Sequence, residues 1–326
     1  MNKPIFISGG AGLIGLALGK KLLQEGKKVK LFDFSEQFDR RREDLSILTE
    51  MFKDKLEIIS GTVMDRWSLT TAMSGCDKVV HLAAVLGVRK TEQNRLMCLS
   101  VNALGTQNIL DAALANSISH IVNASSSEVY GEPSCNPVDE LAETKGKTVY
   151  AVSKLFGEEL IIGYNQVCSS LAYTNIRFFN TYGVGQVAQF VITRFVQKAL
   201  AGKDILIYGD GNQLRSYCYV DDAVDGIGLI LDSKKALNQV YNIGNSSEVY
   251  TLNQLASLVV STLQLENRVQ IRNIPFSDSD RDERREIFTR HCDTSKIEKE
   301  LGYSPSIQVS EGIQRIAQTS IDTNWC

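Results

Sequence analysis

Residues 9–15 read Gly-Gly-Ala-Gly-Leu-Ile-Gly and lie between two runs of different periodicity. Residues 5–8 are an apolar-rich run of the length of a buried strand, and residues 13–25 place apolar side chains at helical spacing. So abrupt a passage from strand to helix needs residues without side chains. Gly9 and Gly12 permit a tight turn and a close approach of the backbone to another group, while Gly15 lets helix and strand pack. The first turn of such a helix offers unpaired N–H groups and the positive end of its dipole to an anion. In this strand–turn–helix setting the motif points to a dinucleotide pyrophosphate lined by Gly9, Gly12, Leu13, Ile14 and Gly15.

The alternation continues. Strands are expected at 28–32, 56–60, 78–82, 120–124 and 172–177, with helices near 67–74, 101–115 and 148–164. That order reads as βαβ units and a parallel sheet, an α/β fold. Beyond 177 the loops lengthen, with strands expected at 204–208 and 240–243 and a helix at 251–263 that has Thr251 as its N-cap. A chain of 326 residues is long enough for one large α/β domain and a smaller lobe. Its net charge of −3 and the lack of a Lys/Arg stripe argue against a nucleic-acid partner. No apolar run approaches the length of a membrane span, and the first residues do not resemble a secretion signal, so a cytoplasmic protein is expected. Seven cysteines without a C-x-x-C pair and only three histidines argue against a disulfide framework, a zinc site or a catalytic metal.

Asp33 ends the second strand, eighteen residues after Gly15, where a carboxylate accepts hydrogen bonds from adenosine ribose hydroxyls. Its charge would repel a 2′-phosphate, so NAD is favoured over NADP, although Arg40, Arg41 and Arg42 could soften that repulsion. Asp65 follows the third strand and is either an acceptor for the adenine amino group or a helix N-cap. Tyr150 and Lys154 are spaced to share one face of a helix. A nearby ammonium should favour phenolate, and a tyrosine so tuned can exchange a proton with a sugar hydroxyl during oxidation. The run Ser125-Ser126-Ser127-Glu128-Val129-Tyr130-Gly131 follows the fifth strand, at the end of the sheet where ligands bind.

Motifs along nearly the whole chain resemble the nucleotide-sugar epimerase/dehydratase group of the extended short-chain dehydrogenases/reductases. They are SGGAGLIG at 8–15, HLAA at 81–84, VNALGT at 101–106, SSSEVYG at 125–131, YAVSK at 150–154, RFFNTYG at 177–183, YGDGNQLRSYCYVDD at 208–222 and YNIGN at 241–245. The resemblance implies a Rossmann fold, a doubly wound seven-stranded parallel sheet, with a smaller α/β C-terminal substrate lobe. Residues 1–177 would form the NAD-binding domain, to which segments near 216–232 and 240–245 return, and residues 178–326 the nucleotide-sugar lobe. It also implies roles. Tyr150 is the acid/base, Lys154 holds the nicotinamide ribose, and Ser126 is the catalytic hydroxyl. Leu82, Ala83, Ala84 and Phe178 line the cofactor cleft. Asn180 contacts the nucleotide-sugar diphosphate, Arg215 clamps a phosphate or the uridine ribose, and one of Arg281, Arg284, Arg285 and Arg290 supplies a second cationic contact. Family members often form homodimers through two helices, here those holding residues 102–116 and 149–165.

The triplet Ser126-Ser127-Glu128 is similar to the Thr-Ser-Glu of UDP-glucuronate decarboxylases and GDP-mannose 4,6-dehydratases. It departs from the Thr-Asp-Glu of dTDP-glucose 4,6-dehydratases at Ser127. Arg290 falls where decarboxylases carry an arginine near the substrate carboxylate. The expectation is a UDP-sugar 4-epimerase acting through a transient 4-keto sugar. UDP-glucuronate decarboxylation and NDP-sugar 4,6-dehydration stand as alternatives, with a non-catalytic dinucleotide sensor or a net reductase as readings of another class.

Overall fold

Four residues, Ile5–Ser8, form β1, and all four are buried. The reason is that both faces of this strand are covered, as in parallel sheets generally. Ile5 and Ile7 point to one face, onto Leu18, Leu22, Ile227 and Ile230, while Phe6 points to the other, onto Leu69, Ile109, Ala112 and Ile161. The strands that follow are β2 (Val29–Asp33), β3 (Leu56–Ser60), β4 (Lys78–His81), β5 (His120–Ser126), β6 (Ala172–Phe178), β7 (Thr181–Tyr182), β8 (Ile205–Tyr208), β9 (Leu214–Ser216), β10 (Cys218–Tyr219), β11 (Gln239–Ile243), β12 (Val249–Thr251), β13 (Ile271–Ile274) and β14 (Thr289–Arg290). This computed structural model describes residues 3–278 and 286–322, so Arg281, Arg284 and Arg285 lie outside the described residues.

Seven strands make one sheet in the order β11-β6-β5-β4-β1-β2-β3, every pair parallel. The chain winds outward from β1 through β2 to β3, then restarts at β4 on the other side of β1. The crevice at that reversal, outside the carboxyl ends of β1 and β4, is where a doubly wound sheet takes its ligand. The last strand, β11, comes from beyond residue 238 and pairs with β6 from Gln239↔Thr174 to Ile243↔Phe178. The helix Val220–Asp232 packs on the first helix, Leu13–Gln24, where Lys21 pairs with Asp225 at 2.7 Å. Beyond it lie a three-stranded sheet in the order β12-β9-β14 and the pairs β13-β8 and β10-β7.

The single helix expected over 101–115 is two pieces, a π-turn at Ser100–Leu104 and an α-helix at Gly105–Ala115, and it is preceded by a further helical turn at Arg95–Leu99. The π-turn carries an extra residue per turn. It buries Asn102, whose side chain binds both backbone groups of Val85 (2.7 and 3.0 Å) and Ser153 Oγ at 3.0 Å. Thr251 does cap its helix, Leu252–Thr262, and forms a capping box with Gln254. Among the described residues no helix is long and apolar enough to cross a membrane.

Candidate active site

The glycine turn is shaped by what a side chain would strike. Gly9 adopts φ +73°, and a Cβ there would lie 2.8 Å from the Ala83 nitrogen and 2.9 Å from the Leu82 carbonyl carbon. A Cβ on Gly15 would overlap the Gly9 carbonyl oxygen. Gly12, the N-cap of the Leu13–Gln24 helix, meets only the Gly9 oxygen at 3.1 Å and has no side-chain cap bond. Two glycines thus close the turn against the protein, and the third leaves the helix start open, which fits a pyrophosphate. Sequence reasoning gave Gly10 no task, yet its Cβ would stand 2.8 Å from the Leu31 Cβ. The signal lay on the neighbouring strand.

Asp33 ends β2 beside this turn. Its carboxylate accepts the N–H groups of Ala11 at 3.0 Å and Phe34 at 2.8 Å, and burial holds its pKa above the usual range. Asp65 caps the helix Arg66–Ala72 by accepting from Trp67 and Ser68 at 3.0 and 3.1 Å through one oxygen. Of the three arginines beyond β2, Arg41 donates to the Gly185 carbonyl and Arg42 pairs with Asp39 at 2.8 Å. Both are already engaged by oxygens of the protein. Leu82–Ala84 follow β4 and press on Gly9. Beneath them Ser8 bonds His81 Nδ1 at 2.7 Å, and His81 Nε2 reaches Thr106 at 3.0 Å. Burial pushes the imidazole pKa down to about 3, so His81 is neutral.

The chemical groups converge at the carboxyl ends of β5 and β6. Ser126 ends β5 in register with Phe178, which ends β6. The Ser126 hydroxyl accepts the Glu128 N–H at 3.1 Å and lies close enough to the Tyr150 phenol to favour its ionised form. Tyr150 and Lys154 share the helix Val149–Val167, with Nζ 5.8 Å from the phenol ring centre. The ammonium donates to the Ala124 carbonyl at 2.8 Å, and burial pushes its pKa down to about 8. The expectation that Lys154 lowers the tyrosine pKa is corrected here. Burial drives the Tyr150 pKa up, the Glu128 charge adds to that, and the Ser126 hydroxyl opposes it. The helix start is capped twice: Thr148 Oγ1 accepts from Ala151, and Glu92 accepts from Val149, each at 3.0 Å.

The three-stranded sheet presents two arginines side by side, because β14 pairs with β9 as Arg290↔Arg215. Arg215 donates to the carbonyls of Leu214 (2.9 Å), Phe288 (3.1 Å) and Ile287, and lies 3.5 Å from Glu286. The expected phosphate clamp is therefore occupied by the protein's own oxygens. Arg290 differs. It is 5% exposed, and its Nε and Nη1 have no hydrogen-bond partner among the described residues. Burial and the neighbouring Arg215 push its pKa down to about 10, against the pull of Glu128. Its charge is also felt at Tyr150. Asn180, at φ +29°, donates its amide to the Ser216 carbonyl at 2.7 Å and ties the β6–β7 turn to β9.

A buried layer behind the site escaped the sequence reading. Arg177 on β6 makes a two-pronged pair with Glu158 (3.0 and 2.7 Å) and donates to Tyr130 at 3.1 Å. Tyr130 in turn donates to Asn242 at 2.7 Å, and Ser125 bonds Glu158. These bonds tie β5, β6, β11 and the Tyr150 helix together directly below Ser126 and Phe178. The clue was an arginine inside a strand at the centre of the alternating pattern, a buried setting in which a charge is tolerated only when paired.

Residues 6–316 match the protein family described as GDP-mannose 4,6 dehydratase. A UDP-N-acetyl-alpha-D-glucosaminuronate decarboxylase from Bacillus cytotoxicus is 32% identical over 328 residues, covering 98% of each chain. Among solved structures, a dTDP-glucose 4,6-dehydratase from Streptomyces venezuelae with NAD bound superposes with a TM-score of 0.87 at 25% identity, covering 98% of both chains. A UDP-glucuronic acid 4-epimerase from Bacillus cereus, in complex with UDP-glucuronic acid and NAD, gives the same TM-score of 0.87 and 25% identity over 98% of this chain and 99% of its own.

Proposed function

The chain belongs to the GDP-mannose 4,6 dehydratase family, and from that membership we propose that it is an NAD-dependent enzyme that decarboxylates a nucleotide-linked uronic acid through a transient 4-keto sugar. One observation carries the choice of a uronate. Arg290 is buried with two guanidinium nitrogens unpaired among the described residues, within electrostatic reach of both Tyr150 and Glu128. A buried cation without a partner is costly, and a ligand carboxylate is the group that satisfies it in two parallel bonds. The relative from Bacillus cytotoxicus is named for a uronate, and the neighbour from Bacillus cereus holds one. A uridine diphosphate is accordingly the favoured carrier, bound near Asn180 and Arg215.

Gly9, Gly12, Leu13, Ile14 and Gly15 would hold the pyrophosphate of NAD and Asp33 the adenosine ribose. Asp65 lies toward the adenine, Leu82, Ala83, Ala84 and Phe178 line the cleft, and Lys154 takes the nicotinamide ribose. When bound there, NAD supplies a reversible two-electron oxidant for C4 of the sugar. Burial keeps the Tyr150 phenol protonated in the free protein; beside a bound, positively charged nicotinamide it would ionise and take the O4 proton while C4 is oxidised, assisted by Ser126. With C4 a ketone, Ser126 and Tyr150 hold O4 as the C5–C6 bond breaks, its electron pair moves toward O4, and CO2 leaves. Glu128 relays one solvent proton to C5, with Ser127 buried beside it, and Tyr150 returns its proton to O4 as C4 is reduced. The 4-epimerisation expected from the sequence uses the same Tyr150, Lys154 and Ser126. It asks nothing of Arg290 when the sugar is neutral, whereas a uronate 4-epimerase would use the same cation, so Arg290 selects a uronate and the product selects the reaction.

Mass spectrometry of products from UDP-glucuronate, UDP-N-acetylglucosaminuronate and UDP-glucose separates the outcomes. Loss of CO2 from a uronate is expected. An isomer of unchanged mass would make the enzyme an epimerase, and loss of water a dehydratase. No turnover of any nucleotide sugar, with NAD bound, would favour a sensor. The reading is of a cytoplasmic homodimer. An apolar strip supports the pairing, since Leu104 on the π-turn and Val152 and Phe156 on the Tyr150 helix are about half exposed. Sedimentation velocity of the protein and of Phe156→Glu tests it.

A further inference from the structure

Thr148 joins the start of the catalytic helix to Glu128. Its Oγ1 accepts the Ala151 N–H at 3.0 Å and donates to Glu128 Oε2 at 3.0 Å, and the residue is 5% exposed. A backbone N–H can only donate, so the hydroxyl proton is directed to the carboxylate. The other end of the same glutamate is fixed as well, because its N–H donates to Ser126 Oγ at 3.1 Å. The contacts run from Ser126 through Glu128 and Thr148 to the start of the helix on which Tyr150 is the second residue.

We propose that Thr148 is a positioning residue for the uronate reaction: it grips Oε2 of Glu128, so that Oε1 faces the sugar at a fixed offset from the Tyr150 phenol. The role rests on the decarboxylase reading given above. Ser, Thr, Asp and Asn all cap helices. Only a hydroxyl can accept from the helix and donate to a carboxylate through one atom. An aspartate here would cap the helix and yet set a second negative charge against Glu128. A simple cap and a grip on Glu128 therefore make opposite demands on this side chain.

The test compares Thr148→Ser, Thr148→Asp and Thr148→Gly in the NAD-loaded enzyme, with UDP-glucuronate or UDP-N-acetylglucosaminuronate as substrate. Glycine costs little as a cap, so Thr148→Gly removes the hydroxyl without a large loss of stability. The serine variant should match the parent. The aspartate and glycine variants should lose about tenfold in kcat with KM little changed, the pattern of a misplaced group and not of weaker binding. Trapped 4-keto sugar per CO2 should rise in both. In a Glu128→Gln background, Thr148→Gly should cost nothing further. An aspartate variant as active as the parent, with the same keto-sugar leakage, would show Thr148 to be a cap alone and overturn the proposal. A parent enzyme that releases no CO2 from either uronate would instead overturn the decarboxylase reading and this role with it.

Discussion

The glycine turn at residues 9–15 and the arginine pair on β9 and β14 bind, on this reading, the two halves of one reaction, yet they are built in opposite ways. The turn is contiguous in sequence and works through backbone atoms, with steric limits set by Ala83, Leu31 and its own Gly9 carbonyl. The arginines come from distant segments, meet only through the register Arg290↔Arg215, and leave two buried nitrogens without partners among the described residues. A cofactor that is reused can sit in a cradle the chain finishes by itself. A substrate that leaves each cycle needs a receptor whose charge is completed only on binding, at a standing cost in stability.

Four sets of measurements bear on that contrast. The largest effect is expected where both halves act on one carbon: Tyr150→Phe should lower kcat by about a thousandfold while NAD stays bound, seen by turnover assays and cofactor content. Next, Arg290→Met should lower kcat/KM for a uronate about a hundredfold, since it removes the paired cation. It should also raise Tm by about 2 °C, because an apolar side chain replaces an unpaired buried charge. A drop in Tm would mean that Arg290 already has a partner. On the cofactor side the sign reverses: Gly15→Ala forces a methyl into the Gly9 carbonyl and should cost about 2 kcal/mol in denaturant unfolding along with the bound NAD.

The smallest effects are in pH. Burial holds His81 and His120 neutral, with pKa values pushed down to about 3 and about 4. The unfolded chain takes up both protons below about pH 6.5. Their contribution is therefore complete above that pH and is lost as pH falls toward the folded values, which denaturant midpoints between about pH 7 and about pH 4.5 should register. Lys154, pushed down to about 8 from 10.5, behaves differently. Burying its ammonium is a burden below about 8 that lifts as pH rises toward 10.5. Activity should decline over that window while this part of stability improves.

What could be read in advance follows the same division. Gly9, Gly12 and Gly15 were legible because their constraint is local and steric, and Thr251 because a cap and its partner lie three residues apart. The π-turn at Ser100–Leu104 was not, since residues 101–115 keep helical spacing and the inward swing of Asn102 depends on Val85 and Ser153. Asp65 carried two readings from the start, and its cap bonds leave one oxygen for the other. The tyrosine pKa was expected to fall because the lysine is visible in Y-x-x-x-K, whereas the burial and the Glu128 charge that raise it are properties of the fold. Arg290 came from resemblance alone. Its orphaned nitrogens exist only once β14 lies against β9, and the other three candidate arginines lie outside the described residues.

The strand β11 has a consequence for how this protein can be made. Until residues 239–243 have left the ribosome, β6 is an open edge, and Asn242 is missing from beneath the reaction centre. A nascent chain of about two hundred residues would thus expose one flank of the sheet to any strand that could pair with it. Cutting the gene at the apparent boundary near residue 177 should yield an aggregating fragment, whereas co-expressing a later piece that carries those five residues should rescue it.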